Sequence, residues 1–323
     1  MPEPILLDCD PGHDDAIAIL LALASPEVEL LGITTVAGNQ TLEKTTANAI
    51  RILEFAGRTE VSVAAGAARP LLREPYVAKD VHGDTGLDGP DLPPAQGSPL
   101  AEHAVDFLGR HADGVTLVAV GPLTNVALML ARHPETRPKR IVLMGGSIGV
   151  GNTTPAAEFN VWADPEAAAR VFESGLDVTM IGLDVTHRAL MTQADADRLR
   201  ESGRTGTLVA ELWSFYNRFH SRIYGFDGSP IHDALALAHV FRPDLVETAH
   251  RQVAVDCDSA LCRGRTVVDL WSRTGKEPNA HVGVEADGRA FIELLLERLP
   301  TLDERPTIEG GQRVPRSDNL GDR

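Results

Sequence analysis

Asp8, Asp10, Asp14 and Asp15 crowd one short segment, LLDCDPGHDDA, which contains neither Lys nor Arg. Carboxylates forced together repel one another unless a positive charge neutralises them. A hard divalent ion held by oxygen ligands, Ca²⁺ or Mg²⁺, answers that need. Helix capping explains less of it: an N-cap uses one carboxylate, and the helix dipole contributes only about 0.3–1 kcal/mol per charge. An EF-hand loop does not fit, because its last carboxylate would fall on Ile19 or Leu21.

Other polar residues stand where chemistry is possible. Asn39 follows a strand-like run in AGNQ, His82 sits in VHGDTG, and Asn152, Glu158 and Asn160 share the loop NTTPAAEFN. Asp233 follows His232 in SPIHDALALA, just before an amphipathic helix. Each has an ordinary structural reading as well: Asn and Glu form turns, Asp caps helices, and a lone His or Met144 serves as core.

These residues need elements to carry them. ILLDC, LLGITTV, VSVAA, VTLVAV, RIVLMGG and VTMIGLD read as strands, and ANAIRILEFAG, LAEHAVDFLGRH, NVALMLARH and PEAAARVFES as helices between them. Such alternation predicts an α/β domain with a mostly parallel open sheet flanked by helices. Pro11 and Gly12 turn the chain after the first strand, and AIAILLALA begins a helix at Ala16. The four early aspartates therefore gather at the carboxyl end of a strand, the edge where open α/β sheets bind ligands. After about residue 190 the alternation stops, giving helices LVAELWSFYNRFHSRIYG and HDALALAHVF, strands QVAVDC, TVVDLW and AHVGVEAD, and a closing helix FIELLLERL. The reading is one domain over 1–300 and a polar, flexible tail over 301–323.

Composition narrows the partners. Among 323 residues, 30 Lys and Arg face 46 Asp and Glu, a net charge of −16. That field repels phosphate backbones and anionic lipids, so neither nucleic acid nor membrane is expected as a partner. Cys9, Cys257 and Cys262 show no zinc spacing and no disulfide framework. MPEPILLD lacks a secretory signal, and no apolar run is long enough to span a bilayer, so a cytoplasmic protein is expected.

Taken in order, DCDPGHDDA, ITTVAGNQT, VHGDTG, AVGPLTN, VLMGG, AEFNVWADPEAA, GLDVTH and IHDA resemble the nucleoside hydrolases, the inosine-uridine-preferring nucleoside N-ribohydrolases. The resemblance implies that family's fold and a Ca²⁺ ion held by Asp10, Asp15, Asp233 and the main-chain carbonyl of Val120. It implies that Asp14, Asn39, Asn152, Glu158 and Asn160 bind the ribose, with Met144 packed beneath it. His82, Tyr216 and His220 would meet the base, and Tyr224 lies one turn further on. His220 stands where the family pattern places a second stacking aromatic. Such a site hydrolyses ribonucleosides, usually as a homodimer or homotetramer.

Breaking an N-glycosidic bond passes through an oxocarbenium-like transition state, which needs an activated water on one side and help for the leaving group on the other. Ca²⁺ would orient the water, Asp10 would take its proton, and His232 or His82 would protonate the base. Asn39 would stand near the nucleophile. Two other classes compete. A haloacid-dehalogenase-like phosphatase would use Asp8 as nucleophile and Asp10 as acid, yet it leaves HDDA, AEFN and IHDA unexplained. A non-catalytic nucleoside or calcium binder on the same fold would need none of the residues for turnover, which are present.

Overall fold

A computed structural model describes residues 1–304. Strand β1 (Glu3–Cys9) turns through Pro11 and Gly12 into α1 (His13–Ala24). The chain continues through β2 (Val28–Thr35), α2 (Leu42–Phe55), β3 (Val63–Ala65), the short α3 (Lys79–His82), α4 (Ala104–His111), β4 (Thr116–Ala119) and α5 (Thr124–Arg132). Next come β5 (Arg140–Met144), α6 (Phe159–Ala163), α7 (Pro165–Phe172), β6 (Val178–Ile181) and α8 (Leu183–Thr186). The later part holds β7 (Leu190–Met191), α9 (Gln193–Arg200), α10 (Arg204–Tyr224), β8 (Ser229–Pro230) and α11 (His232–Phe241). It closes with β9 (Val246–Val255), β10 (Thr266–Asp269), β11 (Ala280–Ala286) and α12 (Gly288–Arg298).

Nine strands form one sheet in the order β10-β9-β11-β6-β5-β4-β1-β2-β3. From β3 to β11 neighbours run parallel, and β9 pairs antiparallel with both β11 and β10. The single α/β domain with a mostly parallel sheet is thus the observed fold. Strand order reverses between β1 and β4, a switch point that leaves a crevice beyond their carboxyl ends. Asp10 follows β1 and Val120 follows β4, so both stand at that crevice.

The sheet divides two apolar layers. Ile5, Leu7 and Cys9 pack with residues of α1, α10 and α11, while Leu6 packs with Phe107 of α4 and Val126 of α5. Asp8, still within the strand, takes the face of Leu6 opposite Cys9, whereas Asp10, Asp14 and Asp15 lie past the strand's end in the turn and α1. Asp8 is buried under α5, accepting from Thr34 Oγ1 (2.5 Å) and Asn125 Nδ2 (2.8 Å). The expectation that all four early aspartates gather is corrected accordingly: three do.

Helix α1 begins at His13 rather than Ala16. Asp15 Oδ2 accepts from the Gly12 N–H (2.9 Å) and Asp15 Oδ1 from the Asp10 N–H (3.1 Å), so Asp15 itself secures the helix start. Thr301–Glu304, assigned in sequence to the tail, belong to a 3₁₀ turn (Leu299–Glu304), with Asp303 accepting from Thr205 Oγ1 at 2.6 Å. The rest of that segment lies outside the described residues.

Candidate active site

The floor of the crevice is acidic and buried. Asp10 and Asp15 are fully buried, and Asp233 is brought beside them by the first turn of α11. Carboxylate oxygens of Asp14, Asp15 and Asp233 all lie within 4.8 Å of one another. Asp10 Oδ2 accepts from the Asn39 N–H (2.7 Å), whereas Oδ1 is buried and has no hydrogen-bond partner among the described residues. Backbone presses on this carboxylate from two sides. A Cβ at Gly38 would overlap Oδ2, and one at Gly121 would come 2.7 Å from Oδ1. Asn39 Nδ2 ties the floor together, donating to Asp15 Oδ2 (3.0 Å) and to the Asp10 carbonyl (3.2 Å).

Without a counter-charge these groups resist ionisation. Burial, then the charge of Asp15, pushes Asp14 up to about 8. Asp10 and Asp233 move well above the carboxylate range, through burial first and neighbouring carboxylates next.

One wall comes from the loop after β5. Glu158 caps α6: its Oε1 accepts from the Asn160 N–H (2.8 Å), and its Oε2 from the N–H groups of Gly146 (2.8 Å) and Val161 (3.2 Å). Burial raises Glu158 to about 7 despite these bonds. Asn160 Nδ2 donates to the carbonyls of Val120 (2.7 Å) and Met144 (3.1 Å), fixing the wall to the ends of β4 and β5. Asn152 Oδ1 accepts from the Phe159 N–H (2.9 Å).

Rings form the opposite wall. His82 ends α3, Tyr216 and His220 project from α10, and His232 opens α11 with Nδ1 2.7 Å from Thr186 Oγ1. Burial holds His220 down to about 4 and keeps His82 and His232 well below the usual imidazole range. Tyr224 Oη donates to the Asn152 carbonyl (3.2 Å), joining the two walls. Between them lies a cavity of about 250 Å³.

The model of the inosine-uridine preferring nucleoside hydrolases matches residues 5–293. The chain belongs to that family. Its reaction is hydrolysis of the N-glycosidic bond of ribonucleosides to free base and ribose. A pyrimidine-specific ribonucleoside hydrolase RihA of Enterobacter sp. (strain 638) is 51% identical over 307 residues, covering 93% of this chain and 98% of that protein. RihA of Escherichia coli O9:H4 (strain HS) is 50% identical, with coverages of 93% and 99%. Among solved structures, a purine-preferring ribonucleoside hydrolase from Gardnerella vaginalis superposes with a TM-score of 0.87 at 34% identity, covering 93% of this chain and 99% of its own. A plant nucleoside hydrolase gives 0.88 at 33%, with the same coverages.

Membership of the nucleoside hydrolases removes the phosphatase alternative, and Asp8 supplies the geometric reason: it is bonded beneath α5 and is not part of the cavity wall. Twelve of the expected site residues do line the cavity: Asp14, Asn39, His82, Val120, Met144, Asn152, Glu158, Asn160, Tyr216, His220, His232 and Asp233. Asp10 and Asp15 are not on its wall, but hydrogen bonds through Asn39 join them to it. Sequence reasoning did not single out Tyr76, Phe159 and Phe219 on the wall, nor Thr186 behind His232. The GLDVTH motif carries Thr186, and its spacing from β6 was the available signal.

Proposed function

We propose that this nucleoside hydrolase acts on pyrimidine ribonucleosides and uses Ca²⁺ held by Asp10, Asp15, Asp233 and the Val120 carbonyl. The observation that supports the metal reading is the buried cluster of Asp14, Asp15 and Asp233, whose oxygens lie within 4.8 Å of one another, with Asp10, bonded through its N–H to Asp15, beside it. The donors are all hard oxygens, as Ca²⁺ prefers, and Asp10 adds a further buried carboxylate next to the cluster. When bound, such an ion supplies the charge that lets these carboxylates ionise and polarises water for attack.

The chain's own groups do the rest. Asp10 takes the proton of the attacking water at Oδ1, the oxygen without another partner. Asp14, Asn39, Asn152, Glu158 and Asn160 hold the ribose, and Glu158 faces the positive charge that builds on the sugar. His232 assists the departing base, with His82, Tyr216 and His220 around it. Base preference rests on similarity to the pyrimidine-specific relatives, which exceeds that to the purine-preferring structure. The proposal extends to cytoplasmic residence and to a homodimer or homotetramer, which light scattering after size exclusion checks. Among the described residues, no helix is long and apolar enough to cross a membrane.

Uridine, cytidine, inosine, adenosine and guanosine, assayed for ribose release with and without a chelator, test the function. Faster turnover of the purine nucleosides would overturn the base preference. Chelation is expected to abolish turnover and lower the melting temperature, since an ion that binds the folded state alone stabilises it by mass action. Calorimetry showing no calcium binding at millimolar ion, with activity intact, sinks the metal assignment.

Sugar selectivity gives a separate check. A buried polar group left unpaired costs about 1–3 kcal/mol, and Asp14, Glu158 and Asn160 are all buried. Deoxyuridine is therefore expected to be cleaved tenfold to a hundredfold more slowly than uridine, roughly the factor that penalty sets. Equal rates would show that these residues do not hold the hydroxyls.

A further inference from the structure

The roles assigned above leave His13 unused. It is buried at the first position of α1, yet it is not part of the cavity wall. Its two ring nitrogens reach to opposite ends of one loop. Nε2 donates to the Asp88 carbonyl (2.8 Å), since a carbonyl can only accept. With its one ring proton on Nε2, His13 accepts at Nδ1, so the 3.1 Å contact with Nδ1 of His82 is a bond that His82 donates.

The flat faces of His13 are held as firmly as its edges. Its ring stacks on His82 (centroids 5.3 Å apart, 24° between planes) and on Phe215 (5.1 Å, 5°), and Arg218 lies over the far ring at 4.5 Å. The approach of His82 depends on the neighbouring glycine. A Cβ at Gly12 would come 2.5 Å from His82 Nδ1, so any side chain there displaces the imidazole.

We propose that His13 is a positioning residue that orients His82 toward the base, building on the reading that His82 meets the base. With Nδ1 of His82 taken up by His13, only Nε2 is left for a ligand in the cavity. A nucleobase carries its donors and acceptors in the plane of its ring, so the tilt of His82 decides which edge group that nitrogen can reach. Imidazole suits position 13 because it combines polar atoms on two edges with a face that stacks. Phenylalanine keeps the stack and loses both bonds, whereas glutamine keeps polar reach and loses the stack.

The test is a double-mutant cycle of His13→Phe and His82→Phe in the calcium-loaded protein, read as kcat and KM on uridine and on p-nitrophenyl riboside. Each single variant is expected to lose about tenfold in kcat/KM on uridine, the worth of one buried hydrogen bond. The double variant should lose no more than His82→Phe alone, because His13 acts through His82. Little change is expected on p-nitrophenyl riboside, which carries no nucleobase. His13→Gln, with its amide still able to reach His82, should retain more uridine activity than His13→Phe. Losses that multiply in the double variant, or equal losses on both substrates, overturn the proposal. If His82→Phe is silent, the base-contact reading fails and the proposal falls with it. If only His13→Phe does so, His82 keeps its role and the proposal alone falls. Should the variants not fold, histidine ¹H–¹⁵N spectra of the wild-type protein decide. Adding uracil is expected to move Nε2 of His82 and leave its Nδ1 in place, and the reverse pattern overturns the proposal.

Discussion

Asp10→Asn is expected to lower kcat by about 10⁴, the upper end of what general acid–base catalysis supplies, while nucleoside binding changes by less than about tenfold, since loss of the base acts on the chemical step. The substitution is nearly isosteric, and because Asp10 is also a proposed calcium ligand the variant is assayed at saturating calcium. Asp10 Oδ2 accepts from the Asn39 N–H, and an asparagine keeps that bond by presenting its carbonyl oxygen there. Its amide nitrogen then replaces Oδ1, the buried oxygen that has no partner. The change therefore falls on the atom proposed to take the proton. An amide matches the shape and accepts no proton. Turnover near the wild-type rate, measured as reducing sugar released from uridine, would move the base elsewhere, and Asp14 on the cavity wall is the next residue to replace.

The same carboxylates show what the sequence could and could not tell. Asp-Pro-Gly after an apolar run marked the end of β1 and placed Asp10 at the sheet edge, because turn chemistry is local. Asp8 was misplaced with its neighbours for want of one consideration. As the penultimate strand residue it takes the face opposite Cys9, and its partners Thr34 and Asn125 come from β2 and α5. The start of α1 was set three residues late, since Asp15 was read as a ligand and not also as the group that accepts the Gly12 N–H. Helices α3, α6 and α8, of four or five residues, are too short to show a helical period.

Part of the cavity wall was illegible for another reason. Tyr76 stands beside the cavity because its loop is pinned to α7: the Leu71 N–H donates to Asp164 Oδ2 (2.9 Å), and Arg73 pairs with Glu166. Those partners are more than ninety positions apart, so no window of sequence contains the contact. Tyr224 was visible as an aromatic one turn beyond His220. Its bond to the Asn152 carbonyl, which links the base wall to the ribose loop, appears only in the folded chain.

The leaving group supplies the second large effect. Replacing His232 with alanine is expected to lower kcat on uridine by about 10² to 10⁴, the usual range for acid assistance. Thr186 holds the ring through the 2.7 Å contact of its Oγ1 with Nδ1, leaving Nε2 for a base in the cavity, and the proposed role requires the tautomer in which the hydroxyl donates and the ring proton sits on Nε2. A hydrogen bond from that nitrogen strengthens as negative charge gathers on the departing base, so it favours the transition state over bound substrate. p-Nitrophenyl riboside separates this role from a structural one, because its phenolate leaves without a proton. The variant should cleave it almost as the parent does. His232 also precedes Asp233, and a ring that merely supported the metal ligand would be missed equally by every substrate. Parallel losses on uridine and the aryl riboside would assign His232 to that support, leaving His82 or water to assist the base.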